Sequence, residues 1–591
     1  MNNLQNKDKW ETGLLYPSPE SRELDKDFGE ALEKIKLFRR KYLGKIALLN
    51  AEKLSTAIEE LEAIHNHNIK PQSYAYLLFA EDSTNVLHKK LSQRGIELAN
   101  TAEQKLLFFE IEINDLPEET FQSLVQNKHL QQYKHYLLSL RKFKPHMLSE
   151  REEQLLKQKS LTGVEAFTRL FEELTASFSF RMDIDGAERE VTGEELLGLL
   201  HHDDAAVREK AFTIFLARFK EESITYSTII NTITLDHYQE RLLRDYSFPM
   251  EPTHLANELS NESVTSLMET TERNYPLARE YFQLKARLLG LSTLKNTDIY
   301  APIGTTDKRF SFAQAREMVL DSYSKFNPEF HGIIDSFFIE KRIDAFPRPG
   351  KSGGAFCMGI SPTLPPYVLM NYTGNLRDVA TLAHELGHGL HYVLAQKNSM
   401  LNYHPPLPLA ETASVFGEML LTKSLLERES DPAIKISLLC AQIEDIIATT
   451  FRQNVLTRFE ERIHLGREQG LLSASEICDA WWEENAKLYG DAVEMIDPYR
   501  WGWSYISHFI HSRFYCYSYT FAELLVLALF QKYLSSENTF VPIFTEILAS
   551  GGALSPAETV RRAGIDLVDN NFWQEGYDLL GGMIGELKSL L

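Results

Sequence analysis

Apolar residues Phe28, Leu32, Ile35, Phe38 and Tyr42 recur every three or four positions between Leu24 and Ile46, which predicts an amphipathic opening helix. Residues 51–66, 88–113 and 117–175 continue in Leu, Glu, Lys and Gln with few Gly or Pro, a composition that favours further helix. The period then drops to two. Phe178, Phe180, Met182 and Ile184 alternate with polar residues as far as Asp185-Gly186, the pattern of a β-hairpin. Thr192 with Glu195 three residues on forms a capping-box signal that starts a second helical series, so the chain divides into residues 1–195 and 196–591. Helical spacing returns through residues 203–246, 261–289 and 311–325.

Residues 346–366 hold five prolines and four glycines and exclude helix. The β-prone run Tyr367 to Met370 follows directly and reads as an edge strand. Beside such an edge, the bare backbone of Gly353 and Gly354 makes this loop a candidate to bind a peptide by strand addition. In the next helical stretch Val379, Leu382, Leu386, Leu390 and Val393 fall on one face, and His384, His388 and His391 fall on the other. Pro405, Pro406 and Pro408 interrupt the chain before helical spacing resumes at Leu409. There Glu411 and Glu418, seven residues apart, share a face opposite Ala413, Phe416 and Leu420. Residues 435–465 and 473–489 are again helical in pattern, and Phe521 to Tyr533 is an apolar helical end.

Composition narrows the chemistry. With 591 residues, 43% hydrophobic and 25% charged, the chain has ample material for a large core. Its net charge of −21 argues against nucleic acid or an anionic membrane as partner. Cys357, Cys440, Cys478 and Cys516 are too scattered for a disulfide framework or a metal clip and read as reduced thiols. The opening segment MNNLQNKDKWETG has no secretory pattern, and the apolar run from Leu524 to Phe530 is far short of the roughly 20 residues that span a bilayer. A cytoplasmic protein is expected.

Two histidines four apart on a helix aim their imidazoles at a common point, as a tetrahedral zinc ion requires. The pair is His384 and His388, and Glu385 between them cannot reach that point, but it can stand beside a water on the metal's open position. A catalytic zinc takes a third protein ligand. Glu411, 27 residues after His384, is the choice, against Glu418 on the same face and His391 on the histidine face. The metzincin arrangement would place a histidine where this chain has Leu394. Glu418 and His391 are then candidates to orient the imidazoles by hydrogen bonds.

HELGHGLH, then E-T-A-S-x-F-x-E, then HF followed by FYxYxY near the C-terminus resembles the thimet oligopeptidase family of zinc metallopeptidases, in its oligoendopeptidase F branch. The LGKI at 43–46 and the glycine-rich GKSGGAF are also similar, although the branch commonly has bulkier residues where this chain has Cys516 and Ser518. The resemblance implies a mostly α-helical ellipsoid with a deep internal substrate channel and a small β-sheet beside the HExxH helix. It further implies one zinc ion per chain and oligopeptide substrates cut internally. Residues 196–591 would be the catalytic region, and residues 1–195 part of the channel wall.

The chemistry read from the residues agrees. Zinc lowers the pKa of a bound water to about 7, Glu385 takes its proton as general base, and the developing oxyanion needs a donor. If residues 508–519 are one helix, His508, Tyr515 and Tyr519 fall within about 40° of one another and Tyr517 points the opposite way. His508 and Tyr515 are therefore expected to contact the substrate carbonyl or oxyanion, Tyr519 to line the same wall, and Tyr517 to pack, whereas a broken helix would also admit Tyr517 to the cleft. Two alternatives stay open. A zinc carboxypeptidase or dipeptidyl peptidase would need a cation to hold a chain terminus, for which Arg500 or Arg513 is available. A non-catalytic peptide-binding protein would have no use for Glu385.

Overall fold

The opening helix forms over Arg22–Tyr42, capped by the Ser21 hydroxyl, in a computed structural model that describes residues 9–184, 186–304 and 308–591. Leu24, Phe28, Ala31, Ile35, Phe38 and Tyr42 are its buried residues, whereas Leu32 is 37% exposed, so Ala31 takes the stripe position expected of Leu32. The helices Ala51–Glu81 and Val86–Asp115 pack with it, each started by an asparagine side chain, Asn50 or Asn85, that accepts from the first-turn amides. Asp185 of the expected hairpin turn and residues 1–8 of the opening segment lie outside the described residues.

Contacts divide the chain into two compact units, each assembled from three separated stretches. The first comprises Met1–Lys144, Asp307–Arg428 and Lys532–Ile565; the second comprises Pro145–Thr306, Glu429–Gln531 and Asp566–Leu591. The chain is mostly α, as expected, with small sheets.

In the first unit a three-stranded sheet runs in the order Ile343–Asp344, Tyr367–Leu369, Phe356–Met358. Val368 pairs with Ile343 in parallel and with Cys357 antiparallel. The expected edge strand is therefore the central one. Its apolar residues Tyr367, Val368 and Leu369 are fully buried, so a run with no polar alternation marks a strand covered on both faces. The edge strands are Ile343–Asp344 and Phe356–Met358, and the latter directly follows the glycine loop.

In the second unit the hairpin pairs Phe180–Ile184 with Ala187–Val191, with Phe180 opposite Val191. The capping box is formed: the Thr192 hydroxyl accepts from the Glu195 amide and the Glu195 carboxylate accepts from the Thr192 amide. Beyond it, Ala205–Glu221, Ser223–Leu243, Gln453–Gln469 and Ala474–Tyr489 are the helices about the largest apolar side chains, among them Trp481 and Tyr226. Arg208, 2% exposed, is held there by Asp298 and by the carbonyls of His202 and Asp203.

Candidate active site

The histidines stand on a helix, Leu376–Ala395, started by a capping box between Asn375 and Asp378. Val379, Leu382, Leu386 and Leu390 are fully buried on its packing face. The neighbouring helix, Thr412–Arg428, approaches closely because two glycines permit it. A Cβ on Gly387 would collide with the backbone of Ala413 and Ser414, and one on Gly417 with the Tyr323 hydroxyl. That hydroxyl, fully buried, donates to the Ala383 carbonyl at 2.9 Å, one residue before His384.

Glu411 sits at the turn between the short helix Leu407–Ala410 and Thr412–Arg428, not within the latter as its spacing suggested. Its backbone carbonyl accepts from the Val415 amide, and the Ser414 hydroxyl donates to its Oε2 at 2.8 Å. Glu411 Oε2 then lies 3.4 Å from His384 Nε2 and 3.3 Å from His388 Nε2. All three ligand atoms fall within 4.8 Å of one another. Glu418 Oε1 is 2.5 Å from His384 Nδ1, which leaves Nε2 as the nitrogen that faces Glu411.

Burial by itself would raise the Glu411 pKa, but the hydrogen bond with His388 and the charge of both histidines hold it down at about 2. Burial likewise works against a charged His384, and the hydrogen bond and charge of Glu418 override it to about 9. Glu385 is 6% exposed, its carboxyl is pushed up by burial against the opposing pull of the histidines, and its Oε2 has no hydrogen-bond partner. His391 is buried and pushed down to about 3, chiefly by desolvation, beside the Ala410 backbone.

These residues fit a zinc ion. Bonds of about 2.0–2.1 Å at the tetrahedral angle separate neighbouring ligand atoms by roughly 3.3–3.4 Å, and the two histidine nitrogens stand at that separation from Glu411 Oε2. The orphaned Oε2 of Glu385 is the group left to meet a water or substrate.

The glycine loop is anchored by a residue that sequence reasoning missed. Lys351, whose side chain is fully buried, donates to Asp344 Oδ1 and to the carbonyls of Asp344, Phe346 and Met370. Asn371 donates to the carbonyls of Ser352 and Gly354. A lysine among prolines and glycines reads as exposed, and only the pairing of distant segments buries it. Gly353 and Gly354 themselves are exposed, with nothing within 4 Å of an added Cβ, and Gly354 has φ +71.

His508, Tyr515 and Tyr519 belong to the second unit and form one cluster there. The His508 and Tyr515 rings stack at 6.0 Å, Tyr515 and Tyr519 meet edge-on at 5.1 Å, and His508 Nε2 is hydrogen-bonded to the Tyr519 hydroxyl at 3.3 Å. All three are half-buried, whereas Tyr517 is fully buried and accepts a hydrogen bond from Asn257. The single helix expected over 508–519 does not form. His508–His511 ends at Ser512, Phe514 adopts φ +55, and helix resumes at Tyr517. Arg500 is engaged by Asp479 and Asp497, and Arg513 donates to the Ile510 carbonyl.

The sequence pattern of Peptidase family M3 matches residues 198–579, more than half of the chain, and that of Oligopeptidase F matches residues 112–180. The chain is 25% identical to Oligopeptidase PepF of Bacillus subtilis, with 99% of this chain and 87% of that one covered. It is 26% identical to an oligoendopeptidase F homolog of Lactococcus lactis, with coverage of 100% and 98%. Its fold is similar to the crystal structure of oligoendopeptidase-F from Enterococcus faecium, at TM-score 0.73 and 24% identity over 96% of this chain and 99% of that one. The chain belongs to peptidase family M3 and is a metalloendopeptidase. Among the described residues no helix is long and apolar enough to cross a membrane.

Proposed function

We propose that the chain hydrolyses internal bonds of short oligopeptides with one zinc ion held by His384, His388 and Glu411. The observation that carries this reading is the spacing of the two Nε2 atoms about Glu411 Oε2, with the unpartnered Glu385 Oε2 on the same helix. When bound, the metal supplies a Lewis acid for the scissile carbonyl and lowers the pKa of a water to about 7. Glu385 takes the proton of the attacking water at Oε2 and returns it to the leaving amine. Glu418 fixes His384 through Nδ1, and His391, beside the Ala410 backbone, helps to orient the imidazoles. His508 and Tyr515 donate to the substrate carbonyl or oxyanion, and Tyr519 lines the same wall. The peptide runs along Gly353 and Gly354.

Oligopeptides as substrates are supported by the relatives' names. The family matches at 112–180 and 198–579 fall on either side of residue 195, in keeping with an N-terminal region over 1–195 and a catalytic region over 196–591. Four free cysteines suit a reducing, cytoplasmic setting. The test is mass spectrometry of products from a mixed peptide library, with and without a chelator. Internal cuts that vanish with chelator and return with zinc are expected. Release of terminal residues or dipeptides only, or cleavage indifferent to chelator, would overturn the reading.

A further inference from the structure

We propose that Glu460 is a positioning residue for the His508–Tyr515–Tyr519 cluster, because its carboxyl holds the Phe514 amide at the helix break that brings Tyr515 against His508. This deepens the reading of those three residues as substrate contacts and rests on it.

In an unbroken helix, seven residues at 1.5 Å each would put Tyr515 about 10 Å along the axis from His508, and Tyr519 further still. The rings of His508 and Tyr515 instead stack at 6.0 Å, and Tyr519 reaches His508 Nε2. The break between Ser512 and Cys516 therefore creates the cluster. Its pivot is Phe514 at φ +55, a left-handed conformation that costs a bulky residue about 1–2 kcal/mol. No glycine or proline occurs between 508 and 519, so the cost is met by tertiary contacts.

Glu460, 1% exposed on the helix Gln453–Gln469, accepts the Phe514 N–H at Oε1, 2.9 Å away. The Phe514 ring is fully buried against His464 at 4.7 Å and His237 at 5.9 Å. Thr253 donates to the Arg513 carbonyl, and the Tyr515 amide donates back to Ser512, so the peptide units on both sides of the pivot are tied. Glu460 Oε2 has no hydrogen-bond partner, so the hydrogen bond this buried acid makes is the one to the Phe514 amide. Around it stand Arg513, His464 and Cys516; burial pushes its carboxyl up to about 8, so at neutral pH it is largely a neutral acceptor.

The experiment compares Glu460→Leu, Glu460→Asp, Glu460→Gln, Tyr515→Phe and the double variant Glu460→Leu/Tyr515→Phe in the full zinc-loaded chain. For each, kcat and KM on one peptide, zinc content and Tm are measured. Glu460→Gln keeps an acceptor for the amide and is expected within about threefold of the parent. Glu460→Leu is expected to lose about 10²-fold in kcat, with KM changed a few-fold and zinc retained. The double variant should be no worse than Tyr515→Phe, because both changes remove one contact. Should Glu460→Leu fail to fold, Glu460→Asp withdraws the acceptor by one methylene and should show the same loss in kcat at near-parental Tm. Parental kcat in Glu460→Leu or Glu460→Asp alongside a crippled Tyr515→Phe, or losses that multiply in the double variant, would overturn the role of Glu460 and leave the cluster's reading standing. Full turnover in Tyr515→Phe would instead overturn the reading of the cluster.

Discussion

An imidazole that binds metal through one nitrogen almost always has its other nitrogen held by a hydrogen bond, and Glu418 holds His384 Nδ1 in this way from a different helix. In the proposed reading, base and ligand roles fall on separate carboxylates, Glu385 and Glu411, and the two should come apart on substitution. Glu385→Gln is expected to keep about one zinc per chain and lose several orders of magnitude in turnover, whereas His384→Ala and Glu411→Ala should lose the metal as well. Metal analysis beside turnover decides this, and full zinc with near-normal turnover in Glu411→Ala would remove Glu411 from the ligand set. The two tyrosines either side of Cys516 offer a second contrast. Tyr515→Phe should cost about 10²–10³ in kcat with Tm unchanged. Tyr517→Phe removes a hydroxyl that accepts from Asn257, which also donates to Ser518, so it should cost about 1 kcal/mol of stability and little activity. A larger activity loss in Tyr517→Phe would reverse the assignment.

At the scale of elements, the proposed metal ligands depend on how closely Leu376–Ala395 and Thr412–Arg428 approach. Gly417→Ala would drive a methyl into Tyr323 at the point where Tyr323 holds the Ala383 carbonyl. The expected outcome is a loss of about 1–3 kcal/mol in denaturant unfolding together with weaker zinc retention, since Glu418 is the next residue along. Unchanged zinc affinity in a destabilised variant would show that the helix spacing does not set the site. Much of this was legible beforehand. The 3.6-residue period gave both helices and paired His384 with His388, but Glu411 and Glu418 were read onto one helix, whereas Glu411 stands at the turn before Thr412–Arg428. Elements shaped by distant contacts were not legible. Tyr367–Leu369 read as an edge because β-propensity says nothing of neighbours, although its unbroken apolar run did carry the signal of burial on both faces. Residues 508–519 read as helix because no breaker is present; the break depends on Glu460, 54 positions upstream in sequence.

On the scale of the whole molecule, a buried acid couples stability to pH. Burial raises the Glu460 pKa from an ordinary 4.5 to about 8, so between those values the folded chain binds a proton that the unfolded chain releases. Its contribution is complete below about pH 4.5, declines as pH rises, and is gone above about pH 8. Unfolding free energies of the parent and Glu460→Gln, measured from pH 5 to 9, should therefore diverge in favour of the Gln variant as pH rises and then run parallel. A difference that stays constant over that range would place the ionised carboxylate in the folded chain. Each compact unit draws on three separated stretches of the chain, and no shift in composition announces where one stretch ends and the next begins.

The buried ammonium of Lys351 turns the glycine loop into something that can be timed. An amine with no exposed side-chain surface, bonded to three carbonyls and a carboxylate, is shielded from acylating reagents for as long as the loop stays docked. Lysines on the helix surfaces react at once, so the slow appearance of label at this one position is a clock for the loop's opening. The anchor of the glycine loop is thereby also its native reporter.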